Sequence, residues 1–255
     1  MISFQHVFFK RDERMILSDV NLDIRKGQHW VILGRNGSGK TTILEMMNGY
    51  LFPTTGRIEV LGNVYGECDV REVRKAIGYS SQSLMEKLTL RDPVWEVVAT
   101  GAYGFLRFYQ EIPDGVQEQA RRILDKVKLS RAADLPLGAL SQGERKKAMI
   151  ARSMMMNPRL LILDEPCSGL DLYERERLLE DLHVFADEVD NLVYVTHHIE
   201  EIVPLFTHVL LLDDGKVLAA GEKAEVLTPE RIRGAYQVKV ELDWHLDRPW
   251  IKVVP

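Results

Sequence analysis

Gly34-Arg35-Asn36-Gly37-Ser38-Gly39-Lys40-Thr41-Thr42 matches the phosphate-loop pattern G-x-x-x-x-G-K-[ST] at every fixed position. An apolar run, 30–33, precedes it as a buried strand would, and 42–48 reads as a helix that stops at Gly49. A loop between strand and helix cradles phosphate oxygens with backbone N–H groups and with the positive end of the helix dipole. Lys40 is expected to reach the β- and γ-phosphates, and the Thr41 hydroxyl to hold Mg²⁺. A glycine-rich turn before an ordinary helix is the simpler alternative, but a chance match to the whole pattern is rare.

The composition is that of an ordinary globular protein with a proper core. The chain has 255 residues, 45% of them hydrophobic and 28% charged. A net charge of −5 argues against a general affinity for nucleic acid, so no nucleic-acid partner is expected. No apolar run approaches the roughly 18 residues of a membrane span, and the first residues lack a signal-peptide layout. These patterns predict a cytoplasmic protein whose two cysteines, Cys68 and Cys167, are reduced thiols.

Strands and helices alternate in the first and last parts of the chain, whereas helices dominate between them. The pattern predicts an α/β nucleotide-binding core interrupted by a helical insertion. We expect one domain over 1–255, with its core in 1–87 and 157–230, the insertion in 88–156 and a tail in 231–255. The predicted strands are 2–9, 16–24, 30–33, 57–61, 78–81, 160–163, 192–196, 208–213 and 216–220. The predicted helices are 42–48, 69–77, 93–100, 117–127, 141–156 and 172–188.

An apolar strand ends in two acids at Asp164 and Glu165. Successive side chains of a strand point to opposite sides, so one carboxylate can reach Mg²⁺ through water while the other faces the attacking water as a base. A pair of solvated charges at a strand end is the simpler interpretation. The functional interpretation of the acidic pair is favoured because the pair follows a phosphate loop, and nucleotide hydrolysis requires a second acidic residue for the metal.

The stretch Leu140-Ser141-Gln142-Gly143-Glu144 has the S-x-x-E spacing of a capping box at a helix start. The same helix N-terminus can present Ser141 and backbone N–H groups to an anion. No local partner for that anion is obvious, which points to a nucleotide on another subunit. The next residues, Arg145-Lys146-Lys147, are interpreted as a solvated or phosphate-facing helix start rather than a nucleic-acid patch.

These motifs resemble, in order and spacing, those of the ATPase subunits of ATP-binding cassette (ABC) transporters, over nearly the whole chain. They are the phosphate loop 34–42, Gln82 of the glutamine loop, the signature 140–144, the acidic strand 160–165, the D-loop 168–171 and the switch histidine His197. The resemblance implies a P-loop NTPase core with a mainly parallel sheet, an N-terminal antiparallel β subdomain and an inserted α-helical subdomain. The signature departs from the usual LSGGQ, because Gln142 replaces a glycine and Glu144 a glutamine.

The resemblance also implies the roles of individual residues. Glu165 is taken as the residue that polarises the water, His197 as the contact to the γ-phosphate, and Lys40 as the third catalytic residue. Mg²⁺ is expected on Thr41, Gln82 and Asp164. The family places an aromatic residue against adenine; that position is Arg11 here, and Phe9 nearby is the alternative. ATP is therefore expected to contact Arg11, Gln82 and the loop 34–42, and the partner subunit's ATP to contact Ser141, Gln142, Gly143 and Glu144.

In such a family member, ATP hydrolysis powers transport through separate membrane-spanning permease subunits. Two copies are expected to form an ATP-dependent, head-to-tail homodimer on the cytoplasmic face of the membrane, and the segment 83–110 to form the docking groove for the permease. The tail is loosely similar to tails of iron-siderophore and cobalamin importers, which favours import over export. The alternative is a soluble, stand-alone ABC ATPase with no membrane partner. A kinase with the same phosphate loop is disfavoured by the signature at 140–144.

Overall fold

A computed structural model of the protein describes residues 1–254 and has the alternating strands and helices that the sequence predicts. The strands are β1 (Ile2–Arg11), β2 (Arg14–Ile24), β3 (Trp30–Leu33), β4 (Thr55–Val60), β5 (Asn63–Val64), β6 (Ile77–Ser81), β7 (Leu160–Asp164), β8 (Asn191–Thr196), β9 (His208–Asp213), β10 (Lys216–Glu222), β11 (Val240–His245) and β12 (Arg248–Val253). The helices are α1 (Lys40–Met47), α2 (Val70–Arg74), α3 (Gln82–Met85), α4 (Val94–Ala99), α5 (Asp114–Lys126), α6 (Gln142–Ser153), α7 (Leu172–Ala186), α8 (Lys223–Val226) and α9 (Pro229–Tyr236). In the described part of the chain, no helix is long and apolar enough to cross a membrane.

Contacts divide the chain into two compact units. The first contains Met1–Arg74 and the chain from Asp190 onward, and the second is Lys75–Val189. The second unit is longer than the insertion expected at 88–156, because β6 pairs with β7 and α6 packs on β6 and α7. The expected boundaries lie where alternating strands and helices give way to helices alone, whereas the two units are separated where few contacts cross between them.

The first unit contains an antiparallel sheet in the order β2-β1-β4-β5. In this sheet Ile2 pairs with Ile24 on one side and with Val60 on the other. Ile2, Phe4 and Val7 are buried, and the irregular register after Phe4 fits the left-handed backbone at His6. The N-terminal β subdomain predicted from the sequence is thereby confirmed.

The first unit also contains parallel strands with the phosphate loop at their end. Strand β3 lies between β8 and β9 and is parallel to both, while β10 pairs with β9 in an antiparallel hairpin. All four side chains of β3 are buried, as in a strand covered on both faces. Leu33 lies opposite Thr196 of β8, so the loop after β3 and the residues after β8 leave the same edge of the sheet.

The second unit pairs β6 with β7 in parallel and surrounds them with helices. The side chains of Leu160–Leu163 are inaccessible to solvent, and α4, α5 and α6 pack on one another. The fold is of the mixed α/β P-loop class, and strands β3, β8 and β9 of the first unit and β6 and β7 of the second are parallel, as the sequence predicts.

Candidate nucleotide site

Glycines give the phosphate loop its shape. Gly37 and Gly39 have φ of 81° and 103°, a left-handed conformation that residues with a Cβ seldom adopt. A Cβ on Gly34 would lie 2.5 Å from Ser38 Oγ and 2.6 Å from the Leu212 carbonyl oxygen, so the loop closes tightly on that residue. A Cβ on Gly37 would meet nothing within 4 Å, which leaves the outer side of the loop open.

Lys40 is the first residue of α1 and is only 6% exposed. Its Nζ donates to the carbonyl oxygens of Gly34 at 2.8 Å and Arg35 at 3.1 Å, so the ammonium lies inside the curve of the loop. Arg35 Nη2 forms an ion pair with Asp213 Oδ1 at 3.0 Å, which ties the loop to the end of β9. The neighbouring Thr41 is exposed.

The loop fits a bound triphosphate. The Ser38 hydroxyl is buried and has no hydrogen-bond partner among the described residues. It lies in a loop that also presents the Lys40 ammonium and the N-terminus of α1, which are the groups that bind phosphate oxygens. The exposed Thr41 hydroxyl suits Mg²⁺, a hard cation that prefers oxygen ligands.

His197 directly follows β8 in the first unit. It is half-buried, whereas the neighbouring His198 is exposed. The two rings lie 4.1 Å apart between centroids, so the two side chains contact each other. Glu201 anchors the strand residues that precede His197. Its buried carboxylate accepts from Tyr194 Oη at 2.8 Å and Thr196 Oγ1 at 2.6 Å.

Gln82 begins α3 in the second unit, where the Ser81 hydroxyl caps the helix by accepting from Leu84 N at 3.3 Å. The Gln82 side chain is held at both ends. Its Oε1 accepts from Lys146 Nζ at 2.7 Å, and its Nε2 donates to Glu86 Oε1 at 3.1 Å. The oxygen expected to ligate Mg²⁺ is therefore bonded to an ammonium in this arrangement.

Asp164 ends β7, and Tyr79 Oη lies at 3.5 Å from its Oδ2. Glu165 lies outside the strand, with φ of 47°. The alternation that was expected to send the two carboxylates to opposite sides therefore does not apply, because Glu165 has left extended geometry. A non-glycine residue with positive φ is strained and is often found at functional sites.

The signature forms the capping box that the sequence predicts. Ser141 Oγ accepts from Glu144 N at 3.2 Å, and Glu144 Oε2 accepts from Ser141 N at 2.8 Å. Gly143 lies close to α7, because a Cβ on it would be 3.2 Å from the Glu174 side chain. Gly169 of the D-loop lies near the Gln142 amide, so the signature and the D-loop are neighbours within the second unit.

The two candidates for adenine stacking lie beside each other at the end of β1. The Arg11 guanidinium is 6.0 Å from the centroid of the Phe9 ring. Both side chains belong to the first unit, which also contains the phosphate loop. The choice between Arg11 and Phe9 stays a prediction.

Of the two interpretations of Arg145-Lys146-Lys147, the solvated helix start was wrong, and the phosphate-facing helix start stays a prediction. Lys146 is 7% exposed, and burial lowers the pKa of its ammonium while Cys167, Glu165 and Glu86 oppose that shift. Lys147 forms an ion pair with the buried Asp181, and Arg145 donates to the carbonyl oxygens of Leu137 and Gly138. A run of three cations gave no sign of this, because Gln82 and Asp181, the partners of Lys146 and Lys147, lie far from them in the sequence.

No sequence pattern points to Tyr236, at the end of α9. Its Oη donates to the His197 carbonyl oxygen at 3.3 Å. The tail contains no motif that would mark this tyrosine, so only the fold identifies it.

Comparisons with known proteins agree on one family. The family model described as "ABC transporter" matches residues 17–168. A relative from Bacillus subtilis, the uncharacterized ABC transporter ATP-binding protein YlmA, is 37% identical over 98% of this chain and 96% of its own length. An ABC transporter ATP-binding protein from Streptococcus mutans is 35% identical, with 95% of this chain and 94% of the relative covered.

Solved structures show the same fold. CbiO1 from Clostridium perfringens, part of the ABC transporter complex CbiONQ, superposes with a TM-score of 0.79 at 26% identity and covers 91% of this chain and 92% of that chain. A dimeric ATP-binding cassette in a post-hydrolysis state, bound to ADP and Pi, has a TM-score of 0.73 at 25% identity and covers 87% of this chain and 98% of that chain.

Proposed function

This chain belongs to the ABC transporter ATP-binding family, and from that premise we propose that it hydrolyses ATP at a site shared by two copies to drive import through separate membrane subunits. The observation that carries the proposal is the phosphate loop with its buried Lys40 and partnerless Ser38 hydroxyl, in a chain that matches the family along its length.

Each residue of the site has a separate task in the proposed reaction. Lys40 and the N–H groups of the loop bind the β- and γ-phosphates, and Phe9 or Arg11 stacks on adenine. Glu165 polarises the attacking water, and His197 orients it against the γ-phosphate. Because phosphoryl transfer depends on positioning and on charge stabilisation, these contacts together lower the barrier without a covalent intermediate.

Thr41, Gln82 and Asp164 are the residues that would hold Mg²⁺. When bound, the ion neutralises charge that develops on the phosphate oxygens. If Gln82 Oε1 ligates it, the nearby Lys146 ammonium repels the cation, so we expect the oxygen to exchange the Lys146 contact for the metal. That exchange would couple metal binding to a contact inside the second unit.

The partner subunit is proposed to complete the site with the signature 140–144. Ser141 and the first N–H groups of α6 form a helix N-terminus suited to an anion. A head-to-tail homodimer places this N-terminus against the γ-phosphate of the other copy. Dimeric cassettes among the structural neighbours support the arrangement.

The permease is proposed to dock on the segment 83–110. Within it, the rings of Tyr103, Phe105 and Phe108 pack on one another at centroid distances of 5.4 to 5.9 Å, and Tyr109 is 92% exposed. Tyr103 and Phe105 are exposed, whereas Phe108 is buried beneath them. Exposed aromatic side chains of this kind are typical of a protein interaction surface. Relatives that are named as import proteins, such as a spermidine/putrescine and a phosphonate ATP-binding protein, support import over export.

Affinity purification from a detergent extract of membranes tests the transport role. The wild-type chain should retain polytopic membrane subunits, and Tyr109→Ser should lose them while it binds ATP normally. Val253→Ser, which removes an exposed apolar side chain from the other unit, is the matched control and should retain them. A wild-type chain that hydrolyses ATP but retains no membrane protein would instead support the stand-alone ATPase.

A further inference from the structure

Tyr236, at the end of α9, lies beside two parts of the candidate nucleotide site that belong to the first unit, the phosphate loop and His197. Tyr236 Oη donates to the His197 carbonyl oxygen at 3.3 Å. The Gly34 backbone lowers the pKa of this phenol, as an N–H group directed at the phenolic oxygen does. The Tyr236 hydroxyl therefore lies between the first residue of the phosphate loop and the backbone of the switch histidine.

Local structure fixes the position of this tyrosine. Thr228 caps α9 by accepting from Arg231 N, and Gln237 ends the helix in a left-handed conformation with φ of 59°. Ile232 and Ala235 of α9 are inaccessible to solvent, and the helix packs on β9, β10 and β11. Tyr236 is therefore placed by a docked helix and not by a mobile loop.

The tail makes a second contact with the residues that follow His197. Arg248 Nε donates to the Glu200 carbonyl oxygen at 2.7 Å, and β12 packs on the turn Ile199–Glu201. Glu201 in turn holds Thr196 on the other side of the histidine. The backbone is thus anchored before and after His197, and the Tyr236 hydroxyl adds a contact at the histidine itself.

We infer that Tyr236 is a positioning residue, which sets the spacing between the phosphate loop and His197 and so tunes recognition of the γ-phosphate. The inference rests on the proposed function, in which His197 contacts the γ-phosphate. Burial raises the pKa of the Tyr236 phenol, and the Gly34 backbone opposes that rise, so the hydroxyl stays protonated and can donate to His197.

The test compares a non-hydrolysable ATP analogue with ADP, since only the former carries a γ-phosphate. Tyr236→Phe removes one hydroxyl and keeps the ring. It should weaken binding of the ATP analogue about five-fold, the size of one neutral hydrogen bond, and change ADP binding less than about two-fold. An equal loss for both ligands would overturn the inference, because it would indicate a general effect on the fold or the loop.

Tyr65→Phe is the matched control. The Tyr65 hydroxyl donates to the Met47 carbonyl oxygen at 2.7 Å in the same unit, at the opposite end of α1 from the loop. Tyr65→Phe should leave the ratio of the affinity for the ATP analogue to the affinity for ADP unchanged. A comparable change in that ratio would contradict a specific role for Tyr236.

His197→Ala separates this inference from the proposed function. Made in the wild-type protein, His197→Ala should lower the preference for the ATP analogue over ADP. Adding Tyr236→Phe to His197→Ala should lower this preference no further. If the wild type binds no ATP, or His197→Ala leaves the preference intact, the proposed function fails. If His197→Ala lowers the preference and Tyr236→Phe alone does not, only the role of Tyr236 fails.

Hydrogen exchange provides a readout without nucleotide. In Tyr236→Phe, backbone amides in 33–36 and 196–201 should exchange several-fold faster than in the wild type, since both segments lose the same anchor. Unchanged exchange in both segments would overturn the inference.

Discussion

At the scale of single residues, Lys40 and Glu165 are proposed to act at different stages of the reaction. Lys40 is buried inside the phosphate loop. Its charge is proposed to contact the nucleotide in the ground state and in the transition state. Glu165 is proposed to act on the water, which matters only during reaction. Substitutions of the two residues should therefore separate binding from turnover.

Lys40→Ala should weaken ATP binding itself. A charge-assisted hydrogen bond contributes about 1.5–3 kcal/mol, so the dissociation constant should rise roughly ten- to hundred-fold. Calorimetry with ATP measures it, and Lys10→Ala, an exposed lysine of the same unit, is the control. Unchanged affinity in Lys40→Ala would argue against the phosphate-loop assignment.

Glu165→Gln should bind ATP normally and lose turnover by about 10²- to 10⁴-fold, the usual size of a general-base contribution. Phosphate release at saturating ATP measures this, and Glu118→Gln, an exposed acid on α5, is the control. Normal turnover in purified Glu165→Gln would remove the residue from its role.

The sequence predicted the residues whose roles depend on local spacing, and it missed those that depend on distant partners. The loop glycines, Lys40 and the capping box at Ser141 follow from short patterns and are placed as expected. No short sequence pattern predicts the roles of Lys146 and Tyr236, because both side chains contact residues far away in the chain. The left-handed backbone at Glu165 was likewise hidden, since glutamate seldom adopts it.

At the scale of elements, the end of β8 holds His197 through a small buried network. Thr196 Oγ1 donates to Glu201 Oε2 at 2.6 Å and accepts from His198 N at 3.0 Å. Glu201 is only 2% exposed, so its carboxylate depends on these internal donors. Loss of one donor leaves a buried charge less well compensated.

Thr196→Val should therefore destabilise the protein by about 1–3 kcal/mol, although valine fills the same space. The urea midpoint of unfolding measures the loss. Thr55→Val, at an exposed position of β4, should change stability by less than about 0.5 kcal/mol. Equal stability of the two variants would contradict a structural role for the Thr196 network.

Elements with a strong period were predicted well, and the C-terminal hairpin was not. The strands of the core are apolar runs between turn residues, and their observed bounds differ from those expected by a few residues at most. The hairpin β11–β12 turns at Leu246 and Asp247, which both have positive φ. Leucine is a rare turn residue and Pro249 argues against a strand, so local preference concealed the pairing.

At the scale of the whole molecule, the central claim is that two copies share each ATP. The claim concerns α6 of one copy and the phosphate loop of the other, so it must be tested on an assembly. Glu165→Gln provides the background, because it should hold ATP without hydrolysing it and so keep the closed dimer intact.

Ser141 offers a matched pair of substitutions in that background. Ser141→Ala removes the helix cap, at a cost of about 1 kcal/mol, and adds no bulk. Ser141→Arg removes the same cap and also places a long cation where the partner's γ-phosphate should approach. A difference between the two variants therefore reports on the interface and not on the stability of the helix.

The most direct measurement is the sedimentation of these chains with and without ATP. Glu165→Gln should form a dimer only with ATP, and Ser141→Ala in the same chain should keep most of that dimer. Ser141→Arg should stay monomeric while it binds ATP with unchanged affinity. If the Ser141→Arg chain dimerises as well as Glu165→Gln alone, the shared site is wrong, and the residues that complete catalysis must lie within one chain.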